Sequence, residues 1–97
     1  MAFLIKAHDL PDALQRRMEV REKHLAALAS YKEAGKVLYA AAMLDDAGNL
    51  CGSLMALDMT REEIDALLAV EPYLVNNVWD KSRMEIIPIK PAPGFQK

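Results

Sequence analysis

Val37-Leu38-Tyr39-Ala40-Ala41-Ala42-Met43-Leu44-Asp45-Asp46-Ala47-Gly48-Asn49-Leu50-Cys51-Gly52-Ser53-Leu54-Met55-Ala56-Leu57 reads as two strands joined by a polar turn. Side chains alternate between faces along a strand. Val37, Tyr39, Ala41 and Met43 therefore share one face, and Leu38, Ala40, Ala42 and Leu44 share the other. Both sets are apolar. Leu50 to Leu57 is apolar on both faces too, apart from Ser53. Asp45 to Asn49 has turn chemistry. Such a hairpin is not half-solvated, so each face needs a cover. Helices of the same chain can supply one, and a second copy is the simplest source of the other.

Upstream of the hairpin, Phe3 to His8 forms an expected short strand. Asp9-Leu10-Pro11-Asp12 has the composition of a helix start, with a capping Asp, a proline suited to the first turn and Asp12 complementing the dipole. From there to Ala34 the period is helical, with Leu14, Met18, Leu25 and Leu28 as the apolar stripe. Gly35 is the stop signal. Downstream, Thr60-Arg61-Glu62-Glu63 is a capping box, and Ile64, Leu67 and Leu68 form the buried stripe of a second helix. Glu71 precedes a proline and is pushed out of helical geometry, which predicts a break and a short restart at Pro72. Arg83 to Ile89 is the last expected strand, and residues 88–97 form an extended tail rich in proline. Strand, helix, strand, strand, helix, strand is the ferredoxin-like βαββαβ order of an α+β fold, an antiparallel sheet with helices on one face.

The chain has 97 residues, one domain's length, of which 53% are hydrophobic and 27% charged, with a net charge of −2. That is a globular composition. A chain this short buries a modest share of its unfolded surface, a further reason to expect a homodimer. The charge balance excludes a strongly basic nucleic-acid binder. No apolar run reaches membrane-spanning length, and Met1 to Lys6 lacks the pattern of a signal peptide. The single cysteine, Cys51, excludes an intrachain disulfide and a cysteine-built zinc site, and makes the cytoplasm the expected compartment.

Chemistry-bearing residues concentrate on the first helix. Arg17, Arg21, His24 and Leu28 form one strip. Arg21 falls between Met18 and Leu25 near the centre of the apolar stripe, where a guanidinium needs a carboxylate or an anionic ligand. Glu71 and Asp80 are its candidate partners. Arg17 taken alone is expected on the solvated face. His24, on the flank of the stripe, is either a satisfied structural group or a catalytic base. Ser53, polar on an apolar strand, either donates a hydrogen bond to a ligand or is satisfied by backbone. No spacing ties His8 to His24 and Glu71 as an iron site, and Cys51 on a buried strand behaves as a small hydrophobe. Tyr31, Tyr39, Tyr73 and Trp79 are expected in the core or at a subunit contact. There is no phosphate-cradling glycine loop, and neither a cofactor nor a metal is implied.

Arg17-x-x-x-Arg21-x-x-His24-Leu25, then Gly35, Gly52-Ser53, Glu71-Pro72-Tyr73 and Ile89-Lys90-Pro91, together resemble the YciI-like (YCII-related) proteins through nearly the whole chain. The resemblance implies a ferredoxin-like fold that pairs into a dimeric α+β barrel. It also implies an active site built on a His–Asp pair, in a family whose small relatives include ring-directed elimination enzymes. The family histidine falls on His24. The family aspartate before Pro-Tyr falls on Glu71, a departure that keeps the charge and adds a methylene. A carboxylate beside an imidazole orients one tautomer and stabilises the imidazolium formed on proton abstraction.

Two functions follow as expectations. One is a small cofactor-independent lyase or isomerase acting on a small organic acid or aromatic substrate, with His24 as base, Glu71 as its orienter, and Arg17, Arg21 and Ser53 binding substrate. The other is a non-catalytic dimeric module that holds a small anion or a protein partner on the same strip.

Overall fold

The computed structural model describes residues 1–94. Strand β1 (Ala2–His8) leads to helix α1 (Leu14–Glu33), the hairpin β2 (Val37–Leu44) and β3 (Leu50–Leu57), helix α2 (Arg61–Val70), a short helix α3 (Pro72–Val75), a 3₁₀ turn at Lys81–Arg83, and strand β4 (Glu85–Ile89). The sheet order is β2-β3-β1-β4 with every neighbouring pair antiparallel. This is the α+β, ferredoxin-like arrangement. Pro88 pairs with Phe3 on the edge strand β4, where a missing N–H is tolerated. The extended tail therefore begins at Lys90, later than expected, and its positions 95–97 lie outside the described residues.

Alternation decides which side chains enter the core. Phe3, Ile5 and Ala7 of β1 and Met55 and Leu57 of β3 are buried on the helix side, where they meet Ile64 and Leu67 of α2, Leu28 of α1, and Val78 and Trp79. The helices cover β1 and β3 well. They leave β2 largely open, with Tyr39, Ala40, Ala42 and Leu44 exposed. The hairpin turn is fixed by Asp45, whose Oδ1 accepts from the Ala47 and Asn49 amides at 2.9 Å each.

Several local signals act as the sequence predicts. Thr60 and Glu63 close the capping box of α2. Gly35 sits at φ 75° after α1, a left-handed conformation that glycine adopts without cost. Glu71 is extended (φ −62°, ψ 119°), and α3 restarts at Pro72.

The start of α1 differs from expectation. The helix begins at Leu14 with Ala13 at its N-cap and no side-chain cap, and Asp12 takes a left-handed φ of 57°. The Asp9 carboxylate is taken instead by a buried guanidinium. That charge-assisted pair is stronger than an exposed cap bond. The last strand also starts later, at Glu85, because Asp80 accepts from the Ser82 amide and caps the 3₁₀ turn before it. No helix among the described residues is long and apolar enough to cross a membrane.

Candidate active site

Helix α1 turns Arg17, His24 and Leu28 toward the sheet, and all three are buried. Arg17 is only 5% exposed. Its Nη1 donates to both oxygens of Asp9, at 2.8 and 2.9 Å. Its Nη2 donates to the Gly52 carbonyl at 3.1 Å and to Ser53 Oγ at 3.0 Å. Register makes this possible, because β1 and β3 pair His8 with Gly52 and bring the end of β1 beside Ser53. Glycine is required at 52, since a Cβ there would collide with the Ala7 carbonyl oxygen and the Met43 side chain.

Seven residues along the same helix face, His24 places Nδ1 2.8 Å from Glu71 Oε1. His24 is 8% exposed and Glu71 wholly buried. The proline-forced break frees Glu71 from the helix surface, and the same Oε1 accepts from the Tyr73 amide at 2.8 Å. Glu71 Oε2 is buried with no partner among the described residues. The imidazole stacks on the Tyr73 ring (centroids 4.0 Å apart, planes 12° apart) and meets the edge of Trp79 at 6.0 Å. The Arg17 guanidinium lies 4.9 Å from the centre of the Tyr73 ring, within cation–π range. Burial pushes the Tyr73 phenol above its ordinary value, keeping it protonated. Trp79 Nε1 donates to Ser53 Oγ at 3.2 Å, tying the aromatic group back to the Arg17 network.

These groups meet in a cleft of about 230 Å³ between α1 and the β2–β3 hairpin, lined by Arg21, His24, Ala40, Ala42, Ser53 and Tyr73 among others. With Nδ1 engaged by Glu71, the other ring nitrogen of His24 makes no hydrogen bond among the described residues. An imidazole whose Nδ1–H is donated to a carboxylate presents its Nε2 lone pair as a base. The cleft therefore combines an oriented imidazole, a hydroxyl, a cation and small apolar walls.

The two arginines exchange the places that the sequence predicts. Arg21 is exposed at the cleft, and it forms no salt bridge with Glu71 or Asp80: Glu71 serves His24, while Asp80 serves Ser82. Arg17, expected on the solvated face, is the buried one. The cause is the rotation of the helix. Leu14, Met18 and Leu25 are 51%, 56% and 47% exposed, so of the four stripe residues only Leu28 enters the core. A fully hydrogen-bonded ion pair can take a buried position that an apolar residue would otherwise hold.

Sequence reasoning did not find Asp9 as the partner of Arg17, Trp79 as a donor to Ser53, or Tyr73 as the stacking surface for His24. None of these contacts has a local spacing, since each joins different elements. Tyr73 has the one usable signal, its place directly after Glu71-Pro72. His8 alternates with Ala7 and takes the opposite face of the sheet from the cleft, and no group of three His, Cys, Asp or Glu side chains suited to a metal ion occurs among the described residues.

The YCII-related domain profile matches residues 1–90. The chain belongs to the YCII-related family. Among curated proteins, this YCII-related chain is 28% identical over 94 residues to aspercryptin biosynthesis cluster protein B of Emericella nidulans. The match covers 89% of this chain and 60% of that protein, so the chain spans about three fifths of the relative's length. Among solved structures, it superposes with a TM-score of 0.82 on the 5-chloro-2-hydroxyhydroquinone dehydrochlorinase of Burkholderia phenoliruptrix AC1100, determined in complex with 2,5-dihydroxybenzoquinone. That alignment covers 95% of this chain and 96% of the other at 22% identity, a likeness of fold.

Proposed function

We propose that the YCII-related chain is a small cofactor-independent enzyme of lyase or isomerase type that abstracts a proton from a small organic acid or aromatic substrate bound in the α1–hairpin cleft. The observation that carries this reading is the buried 2.8 Å contact of His24 with Glu71 at the cleft wall. His24 Nε2 takes the proton. The imidazolium so formed is stabilised by the Glu71 carboxylate, and an oriented general base of this kind contributes about 10²–10⁴-fold in rate. Arg21, free of any salt bridge among the described residues, holds the substrate's anionic group or the charge that develops on deprotonation. A ring-directed elimination is one reaction this arrangement suits, and the dehydrochlorinase of like fold supports it.

The proposal includes a homodimer. The sheet face away from the helices carries Leu4, Tyr39, Ala41, Leu54, Ala56 and Ile87 by alternation and register, of which Tyr39 and Ile87 are 60% and 38% exposed. A second copy is the natural cover for such a face and would close an α+β barrel. The lone cysteine supports a reducing compartment, the cytoplasm.

A thermal-shift screen of small carboxylic acids and hydroxyquinones, run on wild type and on His24→Ala, tests the reading. Hits should raise the wild-type midpoint and lose their effect in His24→Ala. Hits that stabilise both proteins equally would place the ligand elsewhere and remove the case for catalysis. Sedimentation at micromolar concentration should show no significant monomer, and a stable monomer would end the dimer proposal.

A further inference from the structure

Ser53 is buried on β3, and its oxygen already has two donors, Arg17 Nη2 at 3.0 Å and Trp79 Nε1 at 3.2 Å. A serine hydroxyl has two acceptor lone pairs and one proton. Neither of its partners can exchange roles, because an arginine N–H and an indole N–H donate only. Both lone pairs are therefore occupied, and the hydroxyl proton is left over. It meets no acceptor among the described residues, and Ser53 lines the cleft beside His24 and Arg21.

We infer that Ser53 is locked as a hydrogen-bond donor, so that the cleft selects ligands presenting an acceptor oxygen at that point, a carboxylate, enolate or phenolate oxygen, over ligands presenting an N–H or O–H there. This deepens the proposed function and rests on its reading of the cleft. It separates the roles of the two arginines. Arg21 meets the ligand's charge. Arg17 is a positioning residue: four of its donor contacts are committed to Asp9, Gly52 and Ser53, and it acts on the ligand through the serine. Asp9 holds Arg17 in turn, so a carboxylate at the end of β1 sets the direction of a proton on β3. Trp79 is the second positioning residue, and its indole nitrogen is the part that matters.

The experiment compares two probes of one ring size by the change they cause in the His24 ring resonances. Benzoate offers acceptor oxygens. Aniline offers N–H donors and a delocalised lone pair that accepts poorly. Wild type should bind benzoate in preference to aniline. Ser53→Ala should weaken benzoate by about tenfold or more, the loss of a bond to a charged acceptor. Trp79→Phe keeps a ring in place and removes the indole donor, which frees one lone pair of Ser53. The benzoate-to-aniline ratio should then fall by about tenfold as Ser53 gains an acceptor site for aniline, a change in preference that loss of packing alone would not produce. A ratio that holds in both variants while benzoate still perturbs His24 overturns the donor lock and leaves the cleft as the ligand site. Failure of benzoate to perturb His24 at all overturns the reading of the cleft, and the lock with it.

Discussion

Helices α1 and α2 cover the same side of one sheet, yet they differ in what they bury. Helix α2 is closed by a capping box and turns Ile64 and Leu67 into the core. Its acidic first turn, Glu62 and Glu63, faces the positive end of the helix dipole. Helix α1 has no side-chain cap, buries Arg17 and His24 beside Leu28, and leaves Leu14, Met18 and Leu25 about half exposed. One helix follows the rule that apolar residues go inside. The other breaks it, and the cleft lies along the helix that breaks it. Local and global preferences agree where a protein only has to fold, and they part at sites that bind or react.

The largest expected effect comes from exchanging the two arginines' fates. Arg17→Met leaves the Asp9 carboxylate, itself only 7% exposed, without its partner. Breaking one side of a buried ion pair costs roughly 3–5 kcal/mol. Arg21→Met removes an exposed side chain and should change stability by no more than about 0.5 kcal/mol, while losing the response to benzoate. Urea unfolding of the two variants beside wild type makes the comparison. Equal losses would mean that α1 has no specialised buried face.

On α2 the expected effect is smaller. Thr60→Ala removes the hydroxyl that accepts from the Glu63 amide, and the loss of such a cap costs about 1 kcal/mol. The cleft lies on the other helix, so the benzoate response should survive. A cap variant that loses ligand response as well as stability would show that the two helices are coupled.

Sequence legibility follows the same division. The capping box, the glycine stop after α1, the break at Glu71-Pro72, the hairpin and the order of elements along the chain are all set by short-range rules, and the structure has each of them. The meeting of His24 and Glu71 was also legible, through the resemblance and through the freedom that a residue before proline gains. The rotation of α1 was not. Leu14, Met18 and Leu25 outrank Arg17 on any apolar scale, and what reverses their order is a set of partners elsewhere in the fold: Asp9 just after β1, and the Gly52 carbonyl and Ser53 from β3. A helix period shows which residues share a face. It does not show which face the rest of the protein has prepared for a charge.

The smallest effect tests the one ion pair that joins the segment after α1 to the first turn of α2. Lys36 donates to Glu63 Oε2, and both side chains are more than a third exposed. The bond to Lys36 and the amide of Thr60 hold the Glu63 carboxyl below its ordinary value of 4.5, and the same bond raises Lys36 above 10.5. Near pH 4.5 the unfolded chain then binds more protons than the folded one, so stability rises with pH there. The contribution of Glu63 is complete above pH 4.5 and is lost as pH falls through its lower folded value. That of Lys36 is complete below pH 10.5 and is lost as pH rises through its higher folded value. Glu63→Gln isolates the charge, because glutamine also serves at the third position of a capping box. The variant should be slightly less stable than wild type at pH 7, and the gap between their urea midpoints should narrow as pH falls below 4.5 and wild type loses the same charge. Solvent screening keeps exposed pairs small, so the closing of the gap, rather than its size, is the result to read. A gap that does not narrow as pH falls below 4.5 would trace the difference to the geometry of the cap and leave the ion pair with no measurable part in joining the two helices.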